Sequence, residues 1–346
     1  MNGHERIAAA LAGEPVDTTP VMLHAVAHAP AEAGISADTY RRDPQAAADA
    51  HIRYTEKYGL DGILVDVDTA VTAAAVGAPV DYPANDMARV AAPLLESLDE
   101  AGRLADVDVT GHWRIHHLCE TARLVKLHFG DAVHVRGNCD QAPFSLACAL
   151  RGPEEFMIDL MTDEDGALRL LEATTRICLQ VMRAMAATGV DMLSHGDSPA
   201  GPSMISPQMY ARFAAPFEKA MADESHRLGL PYLIHICGDT TLILPQLATL
   251  GAQAVELDYK TRINEIRRTL GDSVTLFGTV DPSGVIALGT SAMVRAACEE
   301  ILEAYRGNSR LVLGAGCLIP PMAPEENIRE IVRCSHEFAT GAAVSG

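Results

Sequence analysis

Residues 231–258 read PYLIHICGDTTLILPQLATLGAQAVELD. An apolar run from Pro231 to Cys237 meets a polar, glycine-containing turn. A longer stretch follows, and a second apolar run, Ala254 to Asp258, ends on carboxylates. The unit reads as strand, turn, helix, strand. It recurs on both sides. Downstream lie Val274 to Gly278 (VTLFG) and Leu311 to Gly314 (LVLG). Upstream lie Pro20 to His24 (PVMLH), Gly62 to Asp66 (GILVD), Ala132 to Arg136 (AVHVR) and Asp191 to His195 (DMLSH). Eight apolar runs alternating with helical stretches predict an α/β fold with a parallel sheet, and eight strands close most simply into a (β/α)₈ TIM barrel. An open doubly wound sheet is the competitor, but no G-x-G-x-x-G follows the first run.

The helical stretches include Tyr40 to Tyr58, Pro207 to Leu228 and Pro324 to Phe338, the last with acidic residues in its first turn. The long gaps between strands two and three and between three and four are expected to hold extra helices or loops over the barrel mouth. Extra N-terminal helices are expected as well. No low-complexity linker or composition shift interrupts the chain, so residues 1–346 are read as one barrel domain.

The 346 residues carry 46 Asp and Glu against 27 Lys and Arg, a formal charge of −19. That excess repels phosphate backbones and anionic membranes, which argues against nucleic acid or a membrane as partner. No run approaches the ~18 apolar residues of a membrane span. The start, MNGHERIAAALAGEPVD, has no apolar secretion core. The eight cysteines are scattered, as reduced thiols of a cytoplasmic protein are.

Polar residues gather at the C-terminal ends of the runs. They are His24, then Asp66 and Asp68, then Asn138 and Asp140, then His195 and Asp197. His235 with Cys237, Glu256 with Asp258, Asp281 and Cys317 follow. In a (β/α)₈ barrel these ends form the active-site rim. Polar turns account for the Asp and Asn residues, but poorly for His and Cys. His195 and Asp197 share a strand face and are read as a candidate catalytic pair able to orient a substrate or tune a proton. His24, Asp66, Asn138 and Asp140 are candidate substrate contacts. Asp281, in GTVDPSG, is either a substrate contact or a cap for the helix starting at Pro282, and the cap reading is favoured.

His235 and Cys237 stand at i and i+2, which on a strand places both on one face. Cys317 ends the eighth run in a GAGC context. One histidine and two thiolates suit zinc, and three protein ligands with a fourth position open mark a catalytic site. Spacing alone leaves buried packing as the commoner reading of such cysteines. Cys119, Cys148, Cys178, Cys298 and Cys334 fall in helical stretches and read as packing, while Cys139 in a strand-end loop is ambiguous.

The segments HICGDTTLILPQLATLGAQAVELDYK, GTVDPSGVIALGT and LGAGCLIPPMAPEENI, in that order, resemble the uroporphyrinogen decarboxylase superfamily and, within it, the branch of cobalamin-dependent methyltransferases. GNCDQAPFSLACALRG and GDSPAGPSMISPQMYARFAAPF also fit, so the likeness runs from about Glu5 to Phe338. The resemblance implies a (β/α)₈ barrel and a zinc ion held by His235, Cys237 and Cys317. Glu256 or Asp258 is a candidate fourth ligand. It further implies methyl exchange between methylcobalamin on a separate corrinoid protein and a small acceptor or donor. Tetrahydrofolate is the expected acceptor, from the ELDYKT and GTVDPSG segments. A zinc-activated thiol of the coenzyme M kind, demethylation of a small substrate, decarboxylation of uroporphyrinogen, and a non-catalytic binding role on the same barrel are the alternatives. The decarboxylases lack the His/Cys/Cys set and use arginines after the first strand. Here no arginine lies between Pro20 and Tyr40. The family pattern has Asn where this chain has Thr279.

Overall fold

A computed structural model describes residues 1–343 apart from residue 85. Its main sheet has eight parallel strands: β1 (Met22–Leu23), β2 (Gly62–Val65), β3 (His134–Gln141), β4 (Met192–Gly196), β5 (Tyr232–Ile236), β6 (Ala254–Leu257), β7 (Thr275–Val280) and β8 (Leu311–Ala315). They pair in chain order. A parallel bridge from Val21 to Leu313 joins the two edges, with the Leu313 amide donating to Pro20 O at 2.8 Å. The sheet is therefore a closed barrel, as the eight runs predict. Helices cover its outside, so the strands are buried on both faces and read as nearly continuous apolar runs.

The inner and outer faces can be told apart at the N-terminal end. Met22, Met192, Leu233, Ala254, Phe277 and Val312 form a cluster of their own with Ile7, Ala10 and Leu11 of helix α1 (Gly3–Ala12). This is the bottom layer of the barrel interior, plugged by α1. Asn2 and Glu5 close a capping box at the start of α1. A Cβ at Gly62 would meet Met22 Cε at 2.2 Å and Ile7 Cδ1 at 2.5 Å, so a larger residue where α1 and β1 press on β2 would have to displace those two side-chain ends.

Two expected helices are each broken in two. The stretch Tyr40 to Tyr58 forms α2 (Ala37–Arg42) and α3 (Pro44–Tyr58). Pro44 disfavours helical geometry at Asp43, whose carboxylate instead accepts from the Gln45 and Ala46 amides and caps α3. Pro207 to Leu228 likewise divides at Ala214 into α4 (Pro207–Phe213) and α5 (Ala215–Arg227), with Pro216 in the first turn of α5. The final helix, α6 (Glu325–Ala343), begins where expected, on Glu325 and Glu326.

The β2–β3 insert carries helices Val71–Val76 and Trp113–Phe129, and a small antiparallel ribbon pairs Val80–Asp81 with Arg89–Val90. The β3–β4 insert is helical, with Pro143–Arg151, Pro153–Thr162 and Glu164–Ala186. Among the described residues, no helix is long and apolar enough to cross a membrane.

Candidate metal centre

Side chains alternate along a strand, so Leu233 in the bottom layer sets the facing of β5. His235 is inward and one layer higher, and Cys237 is inward again at the C-terminal mouth. Cys317 arrives from beyond β8 through Gly316. A Cβ on Gly316 would lie 2.9 Å from Leu257 O and 3.0 Å from Tyr259 N, so only glycine lets the chain pass this close to the end of β6.

The three side chains converge. His235 Nε2 lies 3.1 Å from Cys237 Sγ and 3.7 Å from Cys317 Sγ, and the two sulfurs are 3.4 Å apart. A zinc tetrahedron with Zn–S of about 2.3 Å and Zn–N of about 2.0 Å has ligand–ligand edges of roughly 3.5–3.8 Å. The donors are close to that spacing, and they are the borderline nitrogen and soft sulfurs that zinc selects. The residues present therefore fit the ion.

Glu256 lies behind the histidine and not beside it. His235 Nδ1 is 3.1 Å from the Glu256 carbonyl oxygen and 3.4 Å from its Oε1. The same carboxylate takes His24 Nδ1 at 2.9 Å and pairs with the Arg136 guanidinium. Burial opposes the charge, but Arg136, His24 and His235 outweigh it and hold the Glu256 carboxyl well below the usual range. His235 itself is pushed up to about 9: burial works against its charge, and Glu256 and Cys237 overcome it. Cys237 is pulled down to about 3, chiefly by the hydrogen bond from Cys317, while Cys317 is pushed up by the same contact.

A polar layer continues across the barrel. Asn138 accepts from Ser194 Oγ at 3.2 Å and hydrogen-bonds Asp66, whose carboxyl burial pushes up. Arg136 Nε donates to Ser194 Oγ at 2.9 Å. The structure thus gathers His24, Asp66 and Asn138 with the triad.

Other expected site residues are placed elsewhere. Met192 is inward, so His195 and Asp197, at odd offsets from it, face the outer helices. His195 is fully buried, meets Tyr232 OH at 3.2 Å, and is pushed down to about 3 by burial. Asp197 accepts from the Ser145 amide and hydroxyl and abuts Glu218 on α5. The pair is not a mouth-facing catalytic dyad. Asp140 is also fully buried. Its backbone is left-handed (φ 65°), and its Oδ2 accepts from the Thr72 amide. Asp258 spends its oxygens on the Gly238 and Lys260 amides and stays outside the triad. Neither it nor Glu256 is brought in as a fourth ligand. Asp281 caps the turn Pro282–Ala287 through the Ser283 and Gly284 amides, as the cap reading expects. Of the cysteines read as packing, Cys119 is half-buried and the rest are buried, as is the ambiguous Cys139.

Arg136 escaped the sequence reading. It is a lone cation ending the run AVHVR, two residues before Asn138 and so on the same face. A buried arginine needs a buried carboxylate, and that pairing points to Glu256.

A family model described as uroporphyrinogen decarboxylase (URO-D) matches residues 2–338. Among curated proteins, the methylcobamide:CoM methyltransferase MtbA of Methanosarcina mazei is 26% identical, over 96% of this chain and 97% of that one. A uroporphyrinogen decarboxylase of Syntrophotalea carbinolica is 27% identical, over 94% and 95%. A solved structure of a methyltransferase from Methanosarcina mazei superposes with a TM-score of 0.90 at 24% identity, covering 98% of this chain and 99% of that one. Identity does not separate the two activities, so the site must.

Proposed function

The chain belongs to the uroporphyrinogen decarboxylase family, and on that premise we propose that it is a zinc-dependent methyltransferase, exchanging a methyl group between a corrinoid protein and a small thiol. The observation that carries this reading is the convergence of His235, Cys237 and Cys317 at the barrel mouth. Methylcobamide:CoM methyltransferases among the relatives support it. The decarboxylase alternative has less support. A polyanionic porphyrinogen needs a basic pocket, the chain is strongly acidic, and no arginine follows β1 before Tyr40.

When bound, zinc would act as a Lewis acid that keeps an acceptor sulfur as a thiolate at neutral pH. The chain's own residues prepare that site. Glu256 fixes the His235 ring so that Nε2 faces the sulfurs and Nδ1 faces the carboxylate. Arg136 and His24 keep that carboxylate charged. His24, Asp66 and Asn138 form the polar wall against which a bound substrate is oriented. In the transfer, a sulfur–carbon bond forms as the cobalt–carbon bond of methylcobalamin breaks, and the electron pair stays on cobalt.

Methylcobalamin is carried by a separate protein in this reading, which needs a docking face. Met204, Leu242, Tyr259, Leu288 and Met322 are exposed apolar residues on the loops after β4, β5, β6, β7 and β8. These loops stand at the mouth end of the barrel, and the five side chains would contribute apolar surface to a partner docking there.

Tetrahydrofolate is the second reading of the acceptor, with Asp66 and Asn138 as the pair that would meet a pterin. The test is metal content together with loss of the methylcobalamin spectrum. About one zinc per chain, lost in Cys317→Ser, and methylcobalamin consumed with a thiol support the proposal. Consumption with tetrahydrofolate alone moves the acceptor to the second reading. Absence of metal in protein purified under reducing, chelator-free conditions defeats the proposal.

A further inference from the structure

Ser198 stands beside the triad without belonging to it. It opens the short 3₁₀ turn Ser198–Ala200 in the loop after β4. That loop is firmly anchored. The Asp197 amide donates to His235 O at 2.8 Å, and the buried Asp197 carboxylate accepts from the Ser145 amide and hydroxyl. A Cβ at Gly201 would come within 3.1 Å of Ser198 O and 3.3 Å of Cys237 O, so the turn lies directly on the end of β5.

The Ser198 hydroxyl has two uses. Its oxygen accepts from the Cys237 amide at 3.2 Å. Its proton is then left to donate, and it goes to the Cys237 sulfur. Three side-chain hydrogen bonds thus favour the Cys237 thiolate against burial, from Cys317, His235 and Ser198. Zinc binding would take the protons from Cys317 and from His235 Nε2, so two of the three would end. The bond from Ser198 would persist. Cys317 has a counterpart in the Leu318 amide, which hydrogen-bonds its sulfur. Each ligand sulfur therefore has a donor from outside the triad.

A thiolate is itself a nucleophile, and its reactivity falls as a hydrogen bond lowers its basicity. In the methyl transfer read above, the ligand sulfurs and the acceptor sulfur meet at one mouth. Methylation of Cys237 would form a sulfur–carbon bond as the cobalt–carbon bond breaks, with the electron pair left on cobalt. The site would then lose a ligand. We propose that Ser198 is a positioning residue that keeps Cys237 a metal ligand and not a methyl acceptor, by holding a hydrogen bond on its sulfur. The inference rests on the zinc reading above.

The test treats the full zinc-loaded chain with iodomethane and follows methylation of each cysteine by peptide mass spectrometry. Each event forms a sulfur–carbon bond and releases iodide. A charge-assisted hydrogen bond lowers thiolate basicity by about ten- to a hundredfold, and sulfur nucleophilicity follows basicity with a slope of about 0.4–0.5. Ser198→Ala is therefore expected to be methylated at Cys237 about three- to tenfold faster than the wild type. Its Cys317 rate is expected to stay unchanged, and the untreated variant to keep about one zinc per chain. Ser198→Thr, which retains the hydroxyl, is expected to restore the slow rate. Ser198→Gly also lacks the hydroxyl and serves if Ser198→Ala does not fold. An unchanged Cys237 rate overturns the proposal. So does an equal rise at Cys317, loss of zinc from the untreated variant, or a fast rate that persists in folded Ser198→Thr. A wild type that binds no zinc defeats the zinc reading and this inference with it. Zinc held with an unchanged Cys237 rate removes the part of Ser198 and leaves that reading standing.

Discussion

Glu256 holds His235 from the neighbouring strand, with its carbonyl oxygen 3.1 Å and its Oε1 3.4 Å from Nδ1. Nε2 is left facing the two sulfurs. A carboxylate behind a metal-binding imidazole sets the tautomer and raises its basicity. Glu256→Gln keeps the shape and removes the charge. It is expected to weaken zinc binding by about 10–100-fold. Competition against a chromophoric chelator measures this, and an unchanged affinity would assign Glu256 to holding Arg136 alone.

The buried carboxyls of Asp197 and Glu218 make stability pH-dependent. Burial pushes Asp197 from 3.8 up to about 6 and Glu218 well above its ordinary value. Asp197 Oδ2 and Glu218 Oε1 meet no other donor, so a proton shared between the carboxyls satisfies both. The folded state then holds a proton that the unfolded chain gives up. For Asp197 the stability is full below pH 3.8 and is lost as pH rises through about 6. Glu218→Gln supplies an amide donor in place of that proton. It should raise stability at pH 8 by about 1–3 kcal/mol and flatten the profile between pH 5 and 8. Thermal melts at the two pH values decide it, and an undiminished pH difference in the variant contradicts the shared proton.

His195 packs outside the barrel wall, so its loss should be felt in stability and not at the metal. His195→Phe forfeits the contact with Tyr232 OH, at a cost of about 1–2 kcal/mol. The purified variant is expected to retain one zinc per chain. Loss of the metal at an unchanged melting temperature would instead tie His195 to the centre.

Ile7 is fully buried in the plug that α1 inserts into the barrel's lower end. Ile7→Ala should cost about 2–5 kcal/mol, with the spread set by how far Met22 and Phe277 can collapse into the space. Zinc affinity should hold, because the triad lies at the opposite end. Denaturant unfolding beside a metal titration separates the two effects.

Which histidine faces the candidate metal centre was only half legible. His195 with Asp197 and His235 with Cys237 have the same i, i+2 spacing on adjacent strands. In a strand wrapped on both sides, inner and outer residues are alike apolar, so alternation shows which residues share a face but not which face that is. Met192 and Leu233, held against α1, supply the answer. The helix break at Asp43 was open to reading from Pro44, because proline disfavours helical geometry in the residue before it, and the break at Ala214 from Pro216, which has no amide to donate to Arg212 O in a continuous helix.

The sequence by itself determined the eight strands and their closure as the simplest arrangement, which follow from local pattern. The family and the candidate donor set of His235, Cys237 and Cys317 came from the resemblance of its motifs, since spacing alone favoured packing for the cysteines. Only the tertiary structure decided that Cys317 crosses to the β5 triad and that Glu256 stands behind the histidine with Arg136. The physical reason is that each of these depends on distant strands or loops meeting at one end of a closed barrel. Such meetings are set by register and closure, and neither is written in any single segment.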